Sequence, residues 1–435
     1  QRIVRLLERA FPPPLLTLIR RIGEVAREES AHLYFVGGIV RDLLLGRPTQ
    51  DVDLVVEGDA IALCRRLVRE FGGEMRQHRR FGTAKWLLDE TVWQRVAPGE
   101  AHRDLPPFID FVTARTEFYT RPTALPVVER SSIKQDLHRR DFTINTLAIS
   151  LDPDRWGELL DFFGGQADLE RGIIRVLHSL SFVEDPTRIL RAARFEARFD
   201  FRVEPRTEAL IAEALPLLRR VSGKRLRHEL DLIFREAEPE AALARLESWG
   251  ALAAIHPALR YDEQVAARFR RLRARLDPAF WKLDEEAQII LHWVLLLFSR
   301  EEAAIESLLQ RLQAPHRLAD PLRMLPRLRE SLRLLPALSR PSEVVERLEG
   351  LPSPLLAAAH VLCEDERAQE RIAAYWQRWR HLQAPLTGDD LRAMGIPPGP
   401  IYRRILRELR RARLDGEIAD AEAARALARQ LWEAA

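Results

Sequence analysis

The sequence predicts an α+β protein, with a head of mixed sheet and flanking helices followed by an all-helical neck, body and tail. Three observations predict it. Short apolar strands recur through the first 150 residues, the first running into Gly37-Gly38 and the second carrying Asp51 and Asp53. From about residue 237 onward the apolar spacing is helical, with no fixed repeat. At 435 residues the chain can bury several cores and should divide into three or four domains. The expected divisions are a head over 1–170, a neck over 171–236, a body over 237–350 and a tail over 351–435.

The head begins with a Pro-rich break at residues 11–14 and then LLTLIRRIGEVAREE, an amphipathic helix that should cover one face of the sheet. YFVGGIVRDLLLGRPTQDVDLVVEGD, residues 34–59, follows. In it an apolar strand enters the glycine pair, a short basic helix carries Arg41 and Asp42, and a second strand carries Asp51 and Asp53. Alternate strand positions share a face, so the two carboxylates lie side by side. Hard anionic oxygens on a rigid strand suit a Mg²⁺ ion that substrate phosphates also ligate. The Gly37-Gly38 pair lets backbone amides approach a phosphate, and Arg41 supplies countercharge. Together these features imply a metal-dependent handler of nucleoside triphosphates, although a bare Asp-x-Asp is more often a solvated acidic pair.

Residues 59–71 read as a helix, with strands around AKWLLD, TVWQRV and FIDFVTA. Asp110 in the last of these is either a third metal carboxylate or an ordinary strand-end acid. PGEAHRDLPP (98–107) and YTRPTALPVVERSS (119–132) read as irregular stretches. In DLHRRDFTINTLAISL (136–151), Arg140 can bind triphosphate or ribose oxygens, and Asp141 and Asn145 can orient it or contact the sugar. LLDFFGGQADLERGIIRVL (159–177) reads as a pivot or as a purely structural turn, with a sharp turn at Gly164-Gly165 and Asp168 as a cap. In SFVEDPTRILRAARFEARFDF (181–201), Asp185 and Pro186 suit an N-cap and first helical position. Arg188, Arg191 and Arg194 then form a basic row along the helix.

SGKRLRHELDLIFRE (222–236) is a helical block in which Arg225 and Glu229 form a structural i, i+4 pair. IILHWVLLLF is too short to span a bilayer and reads as a buried core helix. A Pro-rich interval, residues 335–354, marks a boundary before the tail. There Thr387-Gly388 opens one helix, and Pro397 to Pro400 turns the chain into an Arg-rich helix over about 401–414. Its Arg403, Arg404, Arg407, Arg410 and Arg411 can bind an RNA phosphate ribbon or simply form a solvated face.

GGIVRD, DVD, RRDFTIN and EDPTR together resemble the signatures of the class II tRNA nucleotidyltransferases and their bacterial poly(A) polymerase relatives. The resemblance covers most of the chain. It implies a polymerase-β-like nucleotidyltransferase head, Mg²⁺ on Asp51, Asp53 and Asp110, and template-free addition of CMP and/or AMP from CTP or ATP to the tRNA 3′ end. It further implies that Glu184, Asp185 and Arg188 read the base. The carboxylate would accept from an exocyclic amine while guanidinium donates to a ring nitrogen, a pattern that cytosine and adenine share. TARTEFYTRPTALP resembles the branch containing A-adding enzymes, and addition of CCA, CC or A alone stays open. A poly(A) polymerase and an inactive RNA-binding relative are the alternatives; HRRFGTAKW differs from the polymerase block Gly-Arg-Arg-Phe-Arg-Leu, and both Asp51 and Asp53 are present.

Composition adds less. Cys64 and Cys363 lie far apart with no metal-ligand spacing, which suits a reduced, cytoplasmic protein, and nothing reads as a signal peptide or membrane span. The formal net charge is +3, and lysine occurs only at Lys85, Lys134, Lys224 and Lys282. This arginine bias is compatible with nucleic-acid binding and equally with GC-rich coding. The chain starts at Gln1 within a helical pattern, as a piece of a longer protein would.

Overall fold

The computed structural model describes residues 1–48, 52–100, 102, 104–118 and 127–435. They form two compact units, Gln1–Val221 and Ser222–Ala435. The first is built on a seven-stranded sheet in the order β3-β4-β5-β2-β1-β8-β9. Its strands are β1 (His32–Val36), β2 (Asp53–Glu57), β3 (Glu74–His78), β4 (Thr83–Leu87) and β5 (Phe108–Thr113), then β8 (Ala148–Ser150) and β9 (Leu159–Leu160). Neighbours are antiparallel except β2 and β5, which run parallel. Strand alternation splits the side chains cleanly. Leu33, Phe35, Leu54, Val56, Ala84, Trp86, Ile109 and Phe111 are all buried on one face. The helices packed there include α2 (Pro13–Glu28), α4 (Ala60–Phe71) and α5 (Glu90–Val96). On the other face, Tyr34, Val36, Val55 and Ala148 pack with Ile133 and Leu137 of α6 (Ile133–His138).

Several expectations about these elements hold, and others need correcting. Helix α2 follows the Pro-rich break, after α1 (Arg2–Ala10), and packs on β1 as expected. Helix α4 starts at Asp59, whose carboxylate accepts from the Ile61 and Ala62 amides. TVWQRV, expected as a strand, is helix α5. Asp89 caps it by accepting from the Val92 amide, and Val92, Trp93 and Val96 form one buried stripe at helical spacing. The stretch 119–132, expected to be irregular, contributes β7 (Val127–Arg130), which pairs with β6 (Arg115–Phe118).

The segment 159–177 is built differently from the sequence expectation. Helix α7 (Gly165–Arg171) is capped by Asp161, which accepts from the Gly165 and Gln166 amides. Asp168 turns inward instead, accepting from the Thr143 hydroxyl at 2.6 Å and from Arg175 at 3.0 Å. After α8 (Ser181–Glu184), helix α9 spans Arg188–Phe199 and starts two residues later than Asp185 and Pro186 suggested. The Asp185 carboxylate accepts from both the Thr187 amide and its hydroxyl, a local turn that competes with helix and leaves Thr187 as the N-cap. Short strands β10 (Ile173–Ile174) and β11 (Arg202–Val203) pair in parallel around α9.

All regular elements of the second unit are helices. The apolar helix Glu285–Leu297 buries Leu291 and Trp293 to Leu297 and packs on helix Ser353–Leu362, so packing runs across the residue-350 division. Toward the end, Leu386, Leu391, Ile396, Ile405, Leu409, Ala424 and Ala428 form a separate small core. Thr387 caps Gly388–Ala393 in a reciprocal bond pair with Asp390, and the Arg-rich helix is Pro400–Leu414. Among the described residues no helix is long and apolar enough to cross a membrane.

Candidate active site

The parallel pairing of β2 with β5 places Asp53 directly opposite Asp110. Directly opposite residues share a face, so the two carboxylates stand on adjacent strands about 5 Å apart at Cα, at the exposed start of β2. On the far side of Asp110, β4 sets Lys85 opposite it, with Nζ 3.4 Å from Oδ2 and 3.6 Å from the Phe108 ring centroid. Sequence reasoning missed Lys85, because register depends on tertiary pairing; its rarity among the basic residues was the available signal. Asp51 lies outside the described residues. Among the described residues no three His, Cys, Asp or Glu side chains gather as metal ligands. Asp53 and Asp110 nonetheless fit a hard divalent cation in donor chemistry, spacing and exposure to solvent.

The opposite flank of Asp53 is the end of β1. The antiparallel register of β1 and β2 brings Val36 beside Asp53, next to Gly37. Gly37 has φ +76°, a conformation that favours glycine, and a Cβ there would sit 2.7 Å from Arg140 Nη1, so the arginine end lies close against it. Its amide donates to the Leu147 carbonyl rather than facing outward. Gly38 opens α3 (Gly38–Leu44).

Arg41, expected to face phosphate, is only 6% exposed. It donates to Asn145 Oδ1 at 2.6 Å and Asp42 at 2.9 Å, and lies over the Phe199 ring at 4.6 Å. Its charge is met inside the protein, and it joins α3 to α9. Asn145 in turn donates to Asp141, which also receives Arg191 Nη2 at 2.6 Å and Nε at 2.8 Å. Burial raises the Asp141 pKa, but Arg191 and Asn145 outweigh it and bring it down to about 2. A second relay centres on Asp136, fully buried and not singled out in the sequence, which binds Arg139 and Arg140 and accepts from the Arg115 amide. Here too burial is outweighed by the two arginines, and the carboxyl stays below its usual range. The RRDFTIN segment is thus held on both sides, with Arg140 against Gly37.

The expected base-reading residues sit at the start of α9. Arg188 is 5% exposed; Nη1 donates to the Ser181 hydroxyl at 2.7 Å and carbonyl at 3.1 Å, and Nη2 to the Arg139 carbonyl at 2.8 Å. These bonds fix the guanidinium plane. Glu184 lies 3.5 Å from His178, which stacks on His138 at 5.4 Å, a pair that the sequence did not single out. Arg194 lies over Phe195 at 4.8 Å. In the tail helix the five arginines separate into two groups. Arg403, Arg404 and Arg407 are exposed. Arg410 is bound to Glu349 and the Leu382 carbonyl, and Arg411 to Glu408, Asp415 and Glu417.

The mixed sheet with its cross-strand acid pair agrees with the nucleotidyltransferase head that the motifs implied. A family model described as "Poly A polymerase head domain" matches residues 33–175, and one described as "Probable RNA and SrmB- binding site of polymerase A" matches 200–262. The chain is 32% identical over 445 residues to an A-adding tRNA nucleotidyltransferase of Halalkalibacterium halodurans, covering 99% of this chain and 96% of that protein. It is 36% identical over 430 residues to the A-adding tRNA nucleotidyltransferase of Geobacter sulfurreducens, covering 96% of this chain but spanning 47% of that relative's length. The Thermotoga maritima CCA-adding enzyme complexed with tRNA superposes with a TM-score of 0.76 at 30% identity, covering 99% of this chain and 98% of that one. The chain belongs to the tRNA nucleotidyltransferase family.

Proposed function

We propose that this chain adds a nucleotide to the 3′ end of tRNA without a nucleic-acid template, and that the nucleotide is AMP on a tRNA ending in CC. The observation that carries the reaction class is the Asp53–Asp110 pairing on β2 and β5, flanked by Gly37 and Arg140. The A-adding choice is supported by the names of the two relatives above. With Asp51, these carboxylates would hold Mg²⁺, which when bound activates the 3′-hydroxyl and neutralises the triphosphate. Arg140, held by Asp136 beside Gly37, binds triphosphate oxygens. Asp185 and Arg188 select the base, with the guanidinium plane already set by Ser181 and Arg139. Arg403, Arg404 and Arg407 on the tail helix bind RNA phosphates. The head, neck, body and tail divisions at 170, 236 and 350 assign catalysis, base choice, support and tRNA binding in turn. A cytoplasmic location is supported by the two free, buried cysteines.

The test offers tRNA ending before CCA, at C, and at CC to the protein with labelled CTP or ATP in separate reactions. A single AMP added only to the CC-ending tRNA is the expected result. Incorporation of CMP overturns the A-adding choice, a long A tail indicates a poly(A) polymerase, and no transfer to any tRNA overturns the whole reading.

A further inference from the structure

The β3–β4 hairpin, Glu74 to Leu87, continues the active-site row outward to the edge of the sheet. Arg76 on β3 pairs with Lys85 on β4, Lys85 with Asp110 on β5, and Asp110 with Asp53 on β2. All four residues are direct cross-strand partners, so they lie on one face in a line about 14 Å long. The inner half of this face is covered by α6, through Ile133 and Leu137 on Val55 and Tyr34. Its outer half is accessible: Arg76 is exposed and Lys85 partly so. At the hairpin tip, Phe81 is 43% exposed and offers an aromatic face to solvent. His78 lies 4.7 Å from its ring and the Arg80 guanidinium 5.7 Å, with Arg79 exposed beside it.

Direction follows from the chemistry. In an in-line displacement at phosphorus, the attacking and leaving oxygens lie on opposite sides of the reacting atom. The proposed triphosphate-binding side chain, Arg140 beside Gly37, lies on the β1 side of Asp53. The attacking hydroxyl must then approach from the β5 side, where Lys85, Arg76 and the Phe81 tip stand. Cations spaced along a surface with an exposed aromatic ring match a single-stranded nucleic acid, whose phosphates take the charges and whose base stacks on the ring. We infer that the β3–β4 hairpin is the landing strip for the single-stranded 3′ end of the acceptor RNA, with Arg76 and Lys85 binding its phosphates and Phe81 stacking on a base. This rests on the nucleotidyltransferase reading above. Lys85 acts as a positioning residue, since its ammonium also fixes the Asp110 carboxylate.

Arg76→Gln and Phe81→Ala test the inference without touching Asp110. Initial rates with tRNA ending in CC and ATP give the Michaelis constants for each substrate, and fluorescence anisotropy of the same tRNA gives binding at 50 and 200 mM salt. The expected result is a rise of about 5- to 10-fold in the tRNA constant for each variant, with that for ATP within about twofold. Arg76→Gln should also flatten the log–log salt slope by about 0.7, the value for one phosphate contact on a single strand. Lys85→Arg should keep tRNA affinity that Lys85→Gln loses. Unchanged tRNA constants and salt slope in a transferring enzyme overturn this inference alone, and a rise confined to ATP also overturns it. Failure of the wild-type protein to transfer to tRNA overturns the proposed function instead.

Discussion

At Asp141 burial favours the neutral acid, and the Arg191 fork with the Asn145 amide reverses that preference. The folded pKa of about 2 lies below the ordinary aspartate value, so the charged form is what the fold stabilises. The sign follows from linkage: the contribution, about 2 kcal/mol, is fully present above about pH 4 and is lost as pH falls through the folded pKa. Asp141→Asn should therefore unfold about 2 kcal/mol more easily in urea at pH 7, and its gap from wild type should close between about pH 4 and pH 2. A gap that persists on acidification would mean that the carboxylate charge contributes nothing there. Arg41 carries a similar lesson. Its place after Gly-Gly suggested phosphate binding, yet the side chain is spent on Asn145, Asp42 and the Phe199 ring.

Between elements, Gly165 sets how closely α7 approaches the Thr143–Asn145 turn. A Cβ there would come 2.3 Å from the Thr143 carbonyl oxygen, a backbone atom that cannot swing away. Gly164 differs: it has φ +75° but nothing within 4 Å of its Cβ position. Gly164→Ala should cost about 1 kcal/mol for the left-handed conformation, whereas Gly165→Ala should cost on the order of 2–4 kcal/mol because α7 or the turn must move. Thermal melts of the two variants separate these causes, and equal losses would contradict the close approach. The contrast also marks how far the sequence could be read. Strands bearing Asp53 and Asp110, the helix at 60–71 and the tail cap at Thr387 were legible, since each rests on local pattern or capping chemistry. TVWQRV was misread because its β-branched and aromatic residues suggest a strand and its length is too short to show a period, while the deciding bond comes from Asp89 just outside it. The Arg76–Lys85–Asp110–Asp53 row was not legible at all. No local spacing reveals which strands become neighbours, and here β5 lies between β4 and β2.

On the scale of the whole chain, the proposed reacting centre and the proposed tail contacts to tRNA fall in different units, while the proposed contacts to the acceptor 3′ end lie in the same unit as the carboxylates. The paired carboxylates belong to Gln1–Val221, and the exposed arginines of helix Pro400–Leu414 belong to Ser222–Ala435. Within that helix Arg410 and Arg411 hold the tail together through Glu349, Glu408 and Glu417, leaving Arg403, Arg404 and Arg407 as the proposed RNA contacts. Losing one of the carboxylates proposed for catalysis should then abolish transfer while tRNA still binds. The direct measurement is single-turnover AMP transfer to tRNA ending in CC by Asp53→Ala, paired with tRNA binding by the same preparation. The account predicts a rate lower by at least about 100-fold, from several kcal/mol of lost transition-state stabilisation, with the tRNA dissociation constant within about threefold of wild type. A variant that keeps a tenth or more of the wild-type rate would contradict the assignment of Asp53 to the reacting centre.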